Sequence, residues 1–167
     1  MKKLFPILVS FLLLFCLWVL TAGKTENAVA CGCGMNMGES EAANVEPPAS
    51  CEQCGMNRAA FAMSRMLIKY ADASEVGTCS LNCVAIEMKN NRDGNIKSLL
   101  VADFATKKLV DAKSAIWVIG GKKSGVMTSV PKWAFAVKAD AEKFVKENGG
   151  RITDFDEALN LALKENE

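Results

Sequence analysis

The chain has 167 residues, half of them hydrophobic, which is enough for one domain and an appendage. Its formal net charge is +1, and it lacks the basic stripe that a nucleic-acid partner requires. There is no histidine, so imidazole is excluded both as a metal ligand and as a general base. Without histidine, the sequence offers no nucleophile–base pair for catalysis. We therefore expect a protein that is not an enzyme and that does not bind nucleic acid.

The N-terminus indicates export. Lys2 and Lys3 precede an apolar run, residues 4–22, which is interrupted only by Ser10 and Thr21. A short basic region before such a run is typical of an export signal, and about nineteen residues also nearly suffice to span a bilayer. Residues 1–23 are therefore predicted to be a signal peptide or a membrane anchor. We expect a periplasmic or exported protein, which touches the membrane through residues 4–22 if the segment is uncleaved.

Residues 24–50 are small and polar, and they are predicted to form a flexible tether that ends at Pro47 and Pro48. Residues 51–167 are then the folded domain. The tether carries its own cluster of sulfur-bearing side chains, a possible second metal site: Cys31, Cys33, Met35 and Met37.

The first half of the domain reads as strand, helix and strand. Residues 60–70 alternate as a half-buried strand does, and residues 72–77 read as a turn. A short apolar strand is predicted over residues 98–104. Between them, helical spacing of apolar residues follows Ser80. These residues are Leu81, Val84, Ala85 and Met88.

The second half repeats this pattern. Strands are predicted over residues 114–119 and 133–137, a helix over residues 140–148, and a brief strand over residues 151–155. Asp154 then caps a final helix with a clear apolar stripe. The predicted fold class is α+β: two similar β-β-α-β units packed together, with a C-terminal amphipathic helix.

Sulfur-bearing residues are the main candidates for chemistry in the domain. Two thiols and a thioether fall within the six residues that start at Cys51, and a second thiol pair follows in a Cys-x3-Cys motif. Thiolate and thioether sulfur are soft ligands that select Cu(I), Zn or iron–sulfur clusters. The candidate metal ligands are Cys51, Cys54, Met56, Cys79, Cys83 and Met127.

Three other interpretations of the cysteines stay open. The four domain cysteines have close to the spacing of a structural zinc site. In an oxidising compartment they could instead pair as disulfides. A thiol–disulfide oxidoreductase using the Cys51-x-x-Cys54 motif is disfavoured, because that motif does not lie between a strand and a helix.

The order of the motifs resembles the NosL family, the accessory proteins of nitrous-oxide reductase. The resemblance covers roughly residues 51–160 and is far more specific than any one motif. Its main elements are Cys54-Gly-Met56, Thr78-Cys79-Ser80, Asp103-Phe-Ala-Thr106, Met127 and Phe155-Asp-Glu-Ala158. It implies paired β-β-α-β units, akin to a domain of organomercurial lyase.

The resemblance also implies a function. It predicts an exported Cu(I)-binding metallochaperone that delivers copper to nitrous-oxide reductase or its assembly machinery. Cys54 and Met127 match the positions expected to ligate copper, with Met56 nearby. The cluster in residues 31–37 is additional to the common pattern, and zinc stays the alternative metal.

We predict that the part of the chain from near residue 40 folds without metal, because about 115 residues with several strands and two amphipathic helices can bury an ordinary core. Metal would then be cargo. The reduced, chelated fragment should unfold cooperatively in urea, followed by circular dichroism. Loss of that cooperativity would instead favour a structural zinc site.

Overall fold

The computed structural model describes residues 45–91 and 94–167. The first half of this part of the chain contains four strands and one helix. In chain order they are β1 (Met66–Tyr70), β2 (Glu75–Thr78), α1 (Leu81–Asn90), β3 (Ile96–Ala102) and β4 (Leu109–Asp111). The strands form one antiparallel sheet in the order β2-β1-β3-β4. The register places Met66 of β1 opposite Thr78 of β2, so the start of β1 lies beside the end of β2.

The second half has three strands and two helices. They are β5 (Ile116–Ile119), β6 (Lys132–Phe135), α2 (Lys138–Asn148), β7 (Arg151–Thr153) and α3 (Phe155–Lys164). The strands form a second antiparallel sheet in the order β6-β5-β7.

The two halves share one topology. In each half the first strand is central, and it is flanked by the second strand and by the strand that follows the helix. The predicted pair of β-β-α-β units with a C-terminal helix is confirmed. β4, which the sequence analysis missed, extends the edge of the first sheet.

Two local predictions in the first half were wrong. Residues 75–77 were predicted as part of a turn, but they belong to β2, because backbone pairing with β1 outweighs the weak strand propensity of Glu-Val-Gly-Thr. Residues 60–65 were predicted as strand, but residues 60–64 form turns and β1 starts only at Met66. Asn57 starts that region, and its side-chain oxygen accepts hydrogen bonds from the backbone N–H groups of Ala59 and Ala60.

The main hydrophobic core joins the two units. Met66 and Ile68 of β1 and Val84 of α1 lie in the same buried cluster as Trp117 of β5 and Phe155 of α3. The apolar stripe of α3 is buried as its pattern predicted. Asp154 caps this helix, since its Oδ1 accepts a hydrogen bond of 2.9 Å from the backbone N–H of Glu157.

Within residues 45–91 and 94–167, no helix is long and apolar enough to cross a membrane. The predicted signal or anchor over residues 1–23, and most of the predicted tether over residues 24–50, lie outside the described residues.

The C-terminal end of the domain is tied to the loop that carries Met127. The Glu165 carboxylate accepts hydrogen bonds from Thr128 Oγ1 at 2.5 Å, Ser129 Oγ at 2.8 Å, Val130 N at 2.9 Å and Lys132 Nζ at 2.6 Å. Burial raises the pKa of Glu165, but the bonds from Lys132 and Thr128 more than offset it and lower the pKa to about 2. The charged carboxylate therefore holds the loop in place.

This arrangement predicts an acid-sensitive contribution to stability. The pKa of Glu165 is lower in the folded state, so its contribution is present above about pH 4.5 and is lost as the pH falls toward about 2. Glu165→Gln should remove on the order of 2 kcal/mol at pH 6 and much less at pH 3. The measurement is the free energy of urea unfolding at both pH values.

Glu147→Gln, on the exposed face of α2, is the control. In this variant the free energy of unfolding should differ between pH 6 and pH 3 by the same amount as in the wild type. The same pH dependence in Glu165→Gln and wild type would contradict the assigned contacts.

Candidate metal centre

Four cysteines from two separate segments bring their sulfur atoms together. The Sγ atoms of Cys51, Cys54, Cys79 and Cys83 all lie within 4.8 Å of one another, and all four thiols are free. Cys54 and Cys79 are 3.6 Å apart, Cys79 and Cys83 3.7 Å, and Cys54 and Cys83 3.8 Å. The disulfide interpretation is not what the structure shows for these four residues. They form the arrangement that a shared metal site needs.

The spacing of these sulfur atoms suits a soft metal ion. A regular tetrahedron with edges of about 3.7 Å has its centre about 2.3 Å from each corner, which is the usual Zn–S distance. A metal ion in the plane of three such sulfur atoms would lie slightly closer to each. The triangle of Cys54, Cys79 and Cys83 therefore accepts either coordination, and the geometry does not separate Cu(I) from Zn.

A tight turn presents the first two thiols. The backbone N–H of Cys51 donates to the carbonyl of Met56 at 2.8 Å, and the N–H of Gly55 donates back to the carbonyl of Cys51 at 2.8 Å. Gly55 has a φ of 75°, a conformation that other residues rarely adopt. The glycine between Cys54 and Met56 is thus required by the turn.

The second pair of thiols flanks the start of α1. Cys79 directly follows β2, Ser80 is the N-cap, and Cys83 lies in the first turn. The Ser64 hydroxyl donates to the carbonyl of Cys79 at 2.8 Å, which fixes the backbone there. No acidic residue lies in the first turn of α1, so its partial positive charge favours thiolates at this end.

The four thiols do not ionise alike. The hydrogen bond from Cys83 lowers the pKa of Cys79 to about 6 against the opposing effect of burial. The same bond, with burial, raises the pKa of Cys83, and burial raises that of Cys54 to about 11. Cys79 is therefore the thiol of the four that ionises most readily. Binding at the other thiols must release protons, so affinity rises with pH.

A buried arginine holds the two segments together. Arg58 is fully buried, and its guanidinium makes five hydrogen bonds. They go to the carbonyls of Thr78, Met66, Pro48 and Glu46 and to the carboxylate of Glu46. The sequence analysis missed this residue, because an arginine in a polar stretch carries no local signal of burial.

The chain before the metal-binding turn also packs against this arginine. A side chain at Gly77 would come within 2.6 Å of the Pro48 ring and 2.8 Å of the Arg58 guanidinium carbon. Glu46 pairs with Arg58 at 2.5 Å and with Arg65 at 2.9 Å. Residues 46 and 48 precede the predicted domain boundary at residue 51, and they contact the folded domain.

The structure places the methionines differently. Met56 packs against the buried cysteines, together with Phe61 and Val126. Met127, the neighbour of Val126, is 46% exposed and has a φ of 53°. The loop thus borders the cysteine cluster, and ligation by Met127 stays a prediction. The second predicted cluster, in residues 31–37, lies outside the described residues.

Replacing the buried arginine should disturb the metal centre. Arg58→Lys keeps the charge but cannot reach four carbonyls and a carboxylate with one ammonium group. We expect a loss of about 3 kcal/mol in the free energy of unfolding, since buried carbonyls lose their donors. Urea unfolding of the reduced protein measures it.

Arg151→Lys is the matched control, because Arg151 is exposed and pairs with Glu157 at the surface. It should cost less than about 1 kcal/mol. Equal losses in the two variants would show that Arg58 does not organise the domain.

Comparison with known proteins identifies the family. The family model NosL matches residues 42–161. The chain is also similar to the crystal structure of the copper chaperone NosL from Shewanella denitrificans, at 22% identity and a TM-score of 0.53, over 66% of this chain and 96% of that one. At this identity the likeness supports the fold alone. A comparison with curated proteins found no match. Because the family model covers well over half of the sequence, the chain belongs to the NosL family.

Proposed function

We propose that the protein is a copper chaperone, a non-catalytic carrier that binds Cu(I) at the four-cysteine centre and passes it to an acceptor. The observation that carries this proposal is the set of four free thiols within 4.8 Å of one another, three of them buried and one partly exposed. Buried sulfur ligands retain a soft metal ion. The exposed ligand gives an acceptor access to it.

Copper is favoured over zinc in this proposal by a thioether beside the thiols and by the family. Met56 adds a thioether beside the thiols, and thioether sulfur coordinates Cu(I) without deprotonation while offering little to Zn. The similar protein from Shewanella denitrificans is described as a copper chaperone. Met127 is the further thioether in this proposal, from the loop that borders the cluster.

The acceptor in this proposal is nitrous-oxide reductase or its assembly machinery. The support is membership of the NosL family together with what the sequence resemblance implies for that family, a role as accessory protein of this enzyme. A periplasmic or exported location follows from the basic and apolar sequence of residues 1–23, which would also be the membrane contact if it is kept.

A structural zinc site is the second candidate. The sulfur spacings of 3.6–3.8 Å among Cys54, Cys79 and Cys83 fit one face of a ZnS4 tetrahedron, and Cys51 lies within 4.8 Å of all three. Redox activity at Cys51 and Cys54 has less support, since the turn that carries them joins no strand directly to a helix.

Thioether removal separates the two candidates. Met127→Leu has similar volume and should lower Cu(I) affinity about tenfold or more, within the range of supporting groups at metal sites, while Zn affinity stays unchanged. Cys54→Ser should lower the affinity for both metal ions, and it should lower the Cu(I) affinity more than Met127→Leu does. Affinities are measured without oxygen against competing chelators, and Met63→Leu, which packs in a different cluster, is the control.

The zinc alternative predicts another pattern. Met127→Leu then changes the affinity for neither metal ion. Cys79→Ser and Cys83→Ser lower the affinity as much as Cys54→Ser does. Indifference of Cu(I) binding to Met127, with equal sensitivity to every cysteine, would overturn the proposed copper site.

A further inference from the structure

The four thiols differ in how firmly the fold holds them. Cys51, Cys79 and Cys83 are 2%, 0% and 0% exposed, whereas Cys54 is only partly buried. Cys79 and Cys83 are fixed by β2 and α1. Cys54 lies at the tip of the turn closed by Cys51 and Met56, beside open space at Gly55. The route of an incoming ligand to the metal site therefore passes Cys54 and the tip of this turn.

One side chain ties the tip of this turn to α1. Gln53, the neighbour of Cys54, donates a hydrogen bond from Nε2 to Oε2 of Glu87. Asn90, one turn further along α1, donates to Gln53 Oε1 at 3.5 Å. Both hydrogen bonds join the turn that carries Cys54 to α1.

The acceptor of this hydrogen bond is itself fixed. Glu87 is 8% exposed, and its other carboxylate oxygen accepts a bond of 2.9 Å from the hydroxyl of Tyr70. Tyr70 ends β1 and lies in the main core. The turn is thus fastened to a rigid part of the domain through a hydrogen bond to a buried, charged group, which is among the stronger kinds.

We propose that Gln53 is a positioning residue, and that its hydrogen bond to Glu87 is a latch that sets how fast metal enters and leaves the four-cysteine centre past Cys54. The latch deepens the proposed carrier function, and it rests on metal binding at these thiols. It acts on the position of the turn and not on the ligand set. Its loss therefore accelerates loading and release together and leaves the affinity nearly unchanged.

The test uses the full chain, reduced and free of oxygen, with Cys16, Cys31 and Cys33 replaced by serine so that only the four-cysteine centre offers thiols. Gln53→Ala removes the latch. Glu87→Gln keeps an acceptor but removes its charge. Lys97→Ala, at an exposed position of β3, is the control. Each protein is loaded with Cu(I) and, separately, with Zn(II).

Stopped-flow transfer to an excess of chelator gives the release rate, and competition titration gives the affinity. Gln53→Ala should release metal about tenfold faster, the factor for one hydrogen bond to a charged group, with affinity within about threefold of the parent. The release rate of Glu87→Gln should lie between those of the parent and Gln53→Ala, and the release rate of Lys97→Ala should match that of the parent. Without metal, Gln53→Ala should also speed alkylation of Cys54.

The outcomes separate the latch from the proposed function. Faster release of Zn(II) from Gln53→Ala in a protein that binds no Cu(I) would reject the copper carrier and keep the latch. An unchanged release rate overturns the latch whichever metal binds. The latch is also overturned if the metal affinity of Gln53→Ala falls by the same factor by which its release rate rises. A protein that binds neither metal refutes both proposals.

Discussion

The buried guanidinium of Arg58 is the interaction on which the rest of the structure depends. It gathers the chain before the metal-binding turn, the start of β1 and the end of β2 around one planar group. Burial of a charge is costly unless it is paired and fully hydrogen-bonded. Here the Glu46 carboxylate supplies the opposite charge, and backbone carbonyls accept hydrogen bonds from the other N–H groups of the guanidinium. The chain just before Cys51 and the chain just before Cys79 are thereby hydrogen-bonded to the same group.

The metal centre combines rigid and adjustable parts. Cys79 and Cys83 are built into the junction between β2 and α1, where the helix terminus favours negative charge. Cys51 and Cys54 come from a turn whose shape depends on a glycine with positive φ. The result is a site with a fixed buried face and one ligand at the surface, which suits a protein that must both keep and give up its metal ion.

Sequence patterns predicted most of the fold and part of the site. The apolar stripe of α3 and the repeated strand–strand–helix–strand order are local periodicities, so they could be read directly. β2 could not, because its four residues become a strand only by pairing with β1. The four cysteines were visible from their spacing. Arg58 and Gln53 were not, since their partners lie 8 to 37 residues away and no local pattern marks them.

The repeated topology has a consequence for how the molecule divides its tasks. In the first unit two residues, Cys79 and Ser80, join the second strand to the helix. In the second unit Ala136 and Val137 join β6 to α2 in the same way. The second copy of the junction thus carries no thiol, and Phe135 and Phe144 of that unit pack there against each other and against Phe104 of the first unit. The cysteines form a cluster apart from both apolar cores. One copy of the strand–helix junction supplies thiols and the other supplies none, so the thiols can rearrange without disturbing the junction of the second unit.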